Sequence, residues 1–140
     1  MSDDIKINRG LKGIYFERSG VSLIDGAKGE LSYRGFSIHD LAVHATFEEV
    51  AYLLLMGDLP DAAQLAAFDV ELKAARVLPS GIYDILRTLK DGHPMDALRT
   101  AVSALAALEP ASQDATEAGF VANGIRLTAQ VPMIVAAHHR

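Results

Sequence analysis

Apolar positions fall into two regimes along this chain: a short opening of broken alternation, then a longer remainder in which they recur every three or four residues. In the opening, residues 13–18, 21–25 and 30–34 alternate in part, and Ser19-Gly20 and Gly26-Ala27-Lys28-Gly29 separate them as turn clusters. Alternation bounded by glycine-rich turns predicts a small β-meander. A short helix is predicted over 38–44, entered through Ser37 as its cap. Thr46-Phe47-Glu48-Glu49 then has the form of a capping box, in which the threonine hydroxyl accepts from the Glu49 amide and the Glu49 side chain reaches back. The helix it opens turns Phe47, Val50, Ala51, Leu54 and Leu55 inward and ends at Gly57 and Pro60. Asp61 caps a third helix carrying Leu65, Phe68 and Leu72 to about Val77, and Pro79-Ser80 opens a fourth with Ile82, Ile85, Leu86 and Leu89.

Asp91-Gly92-His93 breaks the chain before its most regular stretch. Pro94 occupies a first helical turn, where its missing N–H has no intrahelical partner to lose. Met95, Leu98, Val102, Leu105 and Leu108 follow at three- and four-residue steps as one apolar face. Ala97, Ala101, Ser103, Ala104, Ala106 and Ala107 widen it, and side chains that small let a helix approach another backbone closely. The last helix is predicted from about Asp114, with Phe120, Gly124, Leu127, Val131, Val135 and His138 along one face. Pro132 lies in its interior, where it cannot donate to the carbonyl four residues earlier and should kink or locally unbond the helix. With no internal repeat and no low-complexity linker, residues 1–140 read as one mainly α unit, a helical bundle preceded by a β-meander, without a second domain.

Composition narrows the function classes. A net charge of −5 gives no basic footprint for nucleic acid. No signal peptide opens the chain, and no apolar run approaches the roughly 20 residues of a membrane span. The absence of cysteine removes disulfides and thiolate metal sites, which suits a reducing cytoplasm. Hydrophobic residues reach 50% while aromatic residues are only 6%, an excess carried by alanine, leucine and valine on helical segments. Either the composition is simply alanine-rich, or some helical faces are covered by a partner or by further chain.

Catalytic or metal-binding constellations are sparse. His138 and His139 are adjacent and project about 100° apart on a helix, whereas chelation from one helix needs a spacing of three or four. His39 and His44 stand five apart without a partner at chelating distance, and Asp91 with His93 reads as a helix cap rather than an acid–base pair. Glu48 and Glu49 diverge on their helix, and Gly26-Ala27-Lys28-Gly29 is too short to cradle a phosphate. No nucleophile elbow, Walker loop or dinucleotide fingerprint is present. No metal ligand is assigned.

Several ordered blocks resemble citrate synthases and 2-methylcitrate synthases. His93-Pro94-Met95-Asp96-Ala97-Leu98-Arg99-Thr100-Ala101-Val102-Ser103-Ala104-Leu105 is very similar to that family's H-P-M-D-x-x-R-T-A-V-S-A-L segment. Arg9-Gly10-Leu11-Lys12-Gly13, Ile24-Asp25-Gly26, the run from Leu31 to Ile38, Phe47 to Leu54, and Gly57-Asp58-Leu59-Pro60 match in the same order. Residues 129–137 resemble its A-K-x-P-x-I-V-A-A segment. The resemblance implies an acyltransferase that condenses acetyl-CoA, or propionyl-CoA in the 2-methylcitrate branch, with oxaloacetate, without a metal or a covalently bound cofactor. It further implies that this chain is the amino-terminal portion and ends inside a helix, with the two histidines and the aspartate that do the acid–base chemistry lying later. No catalytic residue is therefore assigned, and the chain alone is expected to be inactive. Arg9 is the one cofactor-binding candidate, since in the family an arginine before the opening glycine segment approaches the phosphate end of coenzyme A, and a planar guanidinium fork suits phosphate. The family's pairing of helices across a two-fold axis implies a homodimer through helices 94–108 and 114–140. The competing reading is a naturally truncated member serving as a dimerisation or regulatory module.

Overall fold

The computed structural model describes residues 10, 13–14, 17–110 and 114–140. Three short strands, β1 (Ser22–Asp25), β2 (Glu30–Tyr33) and β3 (Phe36–Ser37), form an antiparallel sheet in chain order. Asp25 shapes the first hairpin, its carboxylate accepting from the amides of Ala27 (3.1 Å) and Lys28 (3.2 Å), while Gly29 supplies a left-handed residue at φ 70°. Tyr33 pairs with Phe36, so the second loop is only Arg34 and Gly35. Both have positive φ, 48° and 91°, as a type I′ turn requires. The meander is thus present but shifted. Gly13, Ile14, Glu17 and Arg18 of the expected first strand are not extended in a sheet, and the third strand comes after Arg34-Gly35 instead. An arginine where asparagine is usual conceals that turn from the sequence.

Six helices follow. Ser37 caps α1 (Ile38–His44), its hydroxyl accepting from the His39 amide. Thr46 opens α2 (Phe47–Met56) with the expected capping box: its hydroxyl accepts from the Glu49 amide at 3.3 Å, and Glu49 accepts from the Thr46 amide at 2.6 Å. Gly57, at φ 103°, ends α2 by donating to the Leu53 carbonyl. Of the predicted line Ala51 is buried and Leu55 packs on the core, but Leu53 is the innermost residue and Phe47 is 65% exposed. From Val50 to Met56 every residue is apolar, so periodicity could not choose a face.

A second capping box, between Asp61 and Gln64, opens α3 (Ala62–Ala74). This helix stops short of Val77, which is exposed, and buries Phe68 and Leu72 as expected. Phe68 meets Tyr52 of α2 edge-on, with ring centroids 5.3 Å apart. Then come α4 (Ser80–Thr88), α5 (Pro94–Leu108) and α6 (Glu117–His139), the last capped by Thr116. One core joins Leu78, Ile82 and Leu86 to Ala97, Ala101 and Leu105 of α5 and Ile134 of α6. A second joins Ala51, Phe68 and Leu72 to Ile125 and Ala129 of α6. Both lean on α6, one on each half.

Two predicted faces are corrected. On α5 the innermost line is alanine, Ala97 and Ala101, with Leu105; Leu98 and Val102 only flank it and Met95 is 61% exposed. The small residues sit where α4 and α6 come closest, and the large ones are left at the rim. On α6 the residues buried are Gly119, Ile125, Ala129, Gln130 and Ile134, while Phe120, Leu127 and Val135 of the predicted stripe face outward. Helix α6 is also long and apolar enough to cross a membrane by length and composition, contrary to the sequence expectation. In this fold it packs against α2, α3, α4 and α5.

Candidate functional site

The start of α5 lies beside the end of α6. Pro94, Met95 and Leu98 from one and Ile134, Val135, His138 and His139 from the other line an apolar groove of about 270 Å³. His93 begins α5 as its cap, its Nδ1 accepting from the Met95 amide at 3.2 Å, so the imidazole is used as a backbone acceptor. At the far side of the groove the His138 Nε2 stands 3.4 Å from the Leu89 carbonyl. Outside the groove, Phe120 and Leu127 of α6 are also exposed, 63% and 38%. The result is an apolar two-helix face on the outside of the bundle.

At the other end of α5 lies a polar knot the sequence reading did not single out. Gln130, 1% exposed, donates from Nε2 to Glu109 Oε1 (2.8 Å) and to the Val77 carbonyl (3.2 Å). Arg126 faces the other oxygen of Glu109 at 3.5 Å and also bonds Asn123. The Oε1 of Gln130 is buried without a partner. The available signal was slight, a glutamine inside an apolar run and a glutamate closing the preceding helix.

The other candidates are not brought together. His44 Nδ1 sits 3.1 Å from the Asp40 carbonyl of its own helix, and His39 lies exposed at the sheet. Glu49 is held below the ordinary carboxylate range by the Thr46 backbone amide first and the Thr46 hydroxyl second, a capping role. Asp114 is lowered in the same way by the amide and hydroxyl of Thr116. Among the described residues no three His, Asp or Glu side chains are placed to hold a metal ion. Arg9 lies outside the described residues. The described residues thus form a helical framework with an exposed apolar groove, and they gather no reaction centre.

The family is nonetheless plain. Residues 10–140 match the family described as citrate synthase, C-terminal domain, and the chain belongs to the citrate synthase family. It is 43% identical to citrate synthase from Deinococcus radiodurans, covering 96% of this chain and 36% of that protein. It is 42% identical to 2-methylcitrate synthase from Shewanella oneidensis, covering 100% of this chain and 37% of that one. The crystal structure of citrate synthase from Pyrobaculum aerophilum superposes with a TM-score of 0.88 at 36% identity, over 96% of this chain and 36% of the other. The chain therefore spans about a third of the length of the proteins it matches.

Proposed function

We propose that this polypeptide is the amino-terminal framework of a citrate-synthase-type acyltransferase, which condenses acetyl-CoA with oxaloacetate to give citrate and coenzyme A. The observation that carries the reading is the match along residues 10–140, where sequence and backbone agree with citrate synthases together. Condensation of this kind needs a base to remove a proton from the acyl methyl group, a donor to polarise the ketone of oxaloacetate, and water to cleave the thioester. The family resemblance assigns those groups to sequence beyond this third. What this chain supplies is position: a rigid α4–α5–α6 core and, on its outside, the apolar α5–α6 face. That face is the proposed homodimer contact, through helices 94–108 and 114–140. Arg9 is proposed to approach the phosphate end of the acyl-CoA, and the protein to work in the cytoplasm.

A second reading is supported by the equally similar 2-methylcitrate synthase, and it replaces acetyl-CoA with propionyl-CoA. The test is a chimera in which residues 10–140 replace the matching third of the Deinococcus radiodurans enzyme. It should release free thiol from acyl-CoA in the presence of oxaloacetate, while the 140-residue chain alone releases none above background. A folded chimera without turnover would leave the truncated, non-catalytic module as the better reading.

A further inference from the structure

The two apolar cores share a single element. Helices α2 and α3 pack on the first half of α6 through Ile125 and Ala129, whereas α4 and α5 pack on its second half through Ile134. Between Ile125 and Ile134, α6 carries two features that soften a helix. Pro132 cannot donate to the Thr128 carbonyl, so one rung of the hydrogen-bond ladder is missing although the helix runs on through it. Thr128 turns its hydroxyl back onto the Gly124 carbonyl at 2.7 Å, a bond that competes with the ladder and bends helices. The same segment holds Gln130, whose amide ties α6 to the α3–α4 connection at Val77 and to Glu109 at the end of α5. Arg126, on the first-half side, grips the same glutamate.

We propose that residues 128–132 are a hinge in α6, and that the Gln130–Glu109–Arg126 knot is the latch that makes the two helical units move and open as one. The Arg126–Glu109 pair crosses the hinge, and Gln130, within it, ties it to Glu109 at the end of α5 and to Val77 in the chain that links the units. Apolar packing holds each unit separately, since it is non-directional and confined to its own half of α6. The latch is incomplete, because the Gln130 Oε1 has no partner, so it couples the units without fixing them permanently. Bending at the hinge would alter the outer line from Phe120 to Val135, which spans it.

Native-state hydrogen exchange on the 140-residue chain reads this directly. In the parent protein, slowly exchanging amides around Phe68 and Leu72 and those around Ile82 and Leu86 should show protection within a few-fold of each other. Gln130→Leu keeps the site filled but removes the ties, and should separate the two sets by tenfold or more, with the boundary inside residues 128–132. Pro132→Ala in that background restores the missing rung and should draw the sets together again. Equal loss of protection in both sets, or none in either, would overturn the hinge, and a parent already split tenfold would overturn the latch. Should Gln130→Leu fail to fold, Glu109→Gln removes the ion pair alone; it must produce a smaller split at the same boundary, and a uniform loss overturns the proposal.

Discussion

Arg34 shows how one residue can accept local strain for a distant contact. Its left-handed backbone is uncommon for a side chain of its size, and asparagine or glycine would suit that turn position better. The arginine is explained by its reach: Nη2 donates to the Leu54 carbonyl at 3.2 Å, so a cation from the hairpin meets the C-terminal turn of α2. Arg34→Ala loses that bond without relieving the turn and should cost about 1 kcal/mol. Arg34→Asn loses the bond but eases the backbone, so denaturation midpoints should rank parent, asparagine, alanine. An alanine variant as stable as the parent would show that the Leu54 contact contributes nothing. Glu49 gives a pH test at the same scale. Its carboxyl is lowered by the Thr46 amide and hydroxyl, so the stability it contributes is present above its unfolded pKa and lost as pH falls through the lowered folded value. Glu49→Gln keeps an acceptor for the Thr46 amide but no charge. The difference in melting temperature between parent and variant should be constant near neutrality and shrink in acid; a difference independent of pH would remove Glu49 from the acid transition.

Helix ends were far more legible than helix faces, and the reason is chemical. A cap needs a particular acceptor at a particular offset, so Thr46 with Glu49 and Asp61 with Gln64 announce α2 and α3 unmistakably. A face is legible only when polar residues mark its back. On α5 nearly every position after Arg99 is apolar or small, so size is the one guide to burial that the sequence offers, and it points to Met95, Leu98 and Val102. The structure instead buries Ala97 and Ala101, because close helix crossings select for small volume. Ala101 is 0% exposed, and Ala101→Leu should overpack the α4–α6 crossing by about 1–3 kcal/mol. Met95→Leu, at the exposed rim, should stay within about 0.5 kcal/mol. Urea midpoints for the two variants decide it: if Met95→Leu is the damaging one, the inner line of α5 is the large-residue stripe after all. Gly124 makes a similar point on α6, since a Cβ there would stand 2.7 Å from Leu55 of α2. The sequence shows only a glycine in a helix, a residue that is otherwise unfavourable there.

For the molecule as a whole, family and helical architecture could be read from ordered motifs, whereas the reaction site could not. The one binding candidate, Arg9, lies outside the described residues, and the polar knot depends on contacts between Val77, Glu109 and Gln130 that no short pattern encodes. What the whole fold adds is the fate of the predicted stripe on α6: it is not core, and Phe120, Leu127 and Val135 stand outward, Val135 lining the same groove as Met95. An apolar stripe that the bundle does not cover is the feature expected of a surface meant for association, and a two-fold contact would place it against its own copy. Val102 is a poor probe of that contact, because it also packs on the α4–α5–α6 core and an aspartate there would damage the fold itself. Phe120→Asp is the cleaner change, since the side chain is 63% exposed and lies outside both cores. Under the proposed assembly the parent chain should sediment as a dimer at micromolar concentration, and the Phe120→Asp protein as a monomer with an unchanged helical spectrum. A parent that remains monomeric, or a variant that dimerises as tightly, would mean that the α6 stripe is not the two-fold contact.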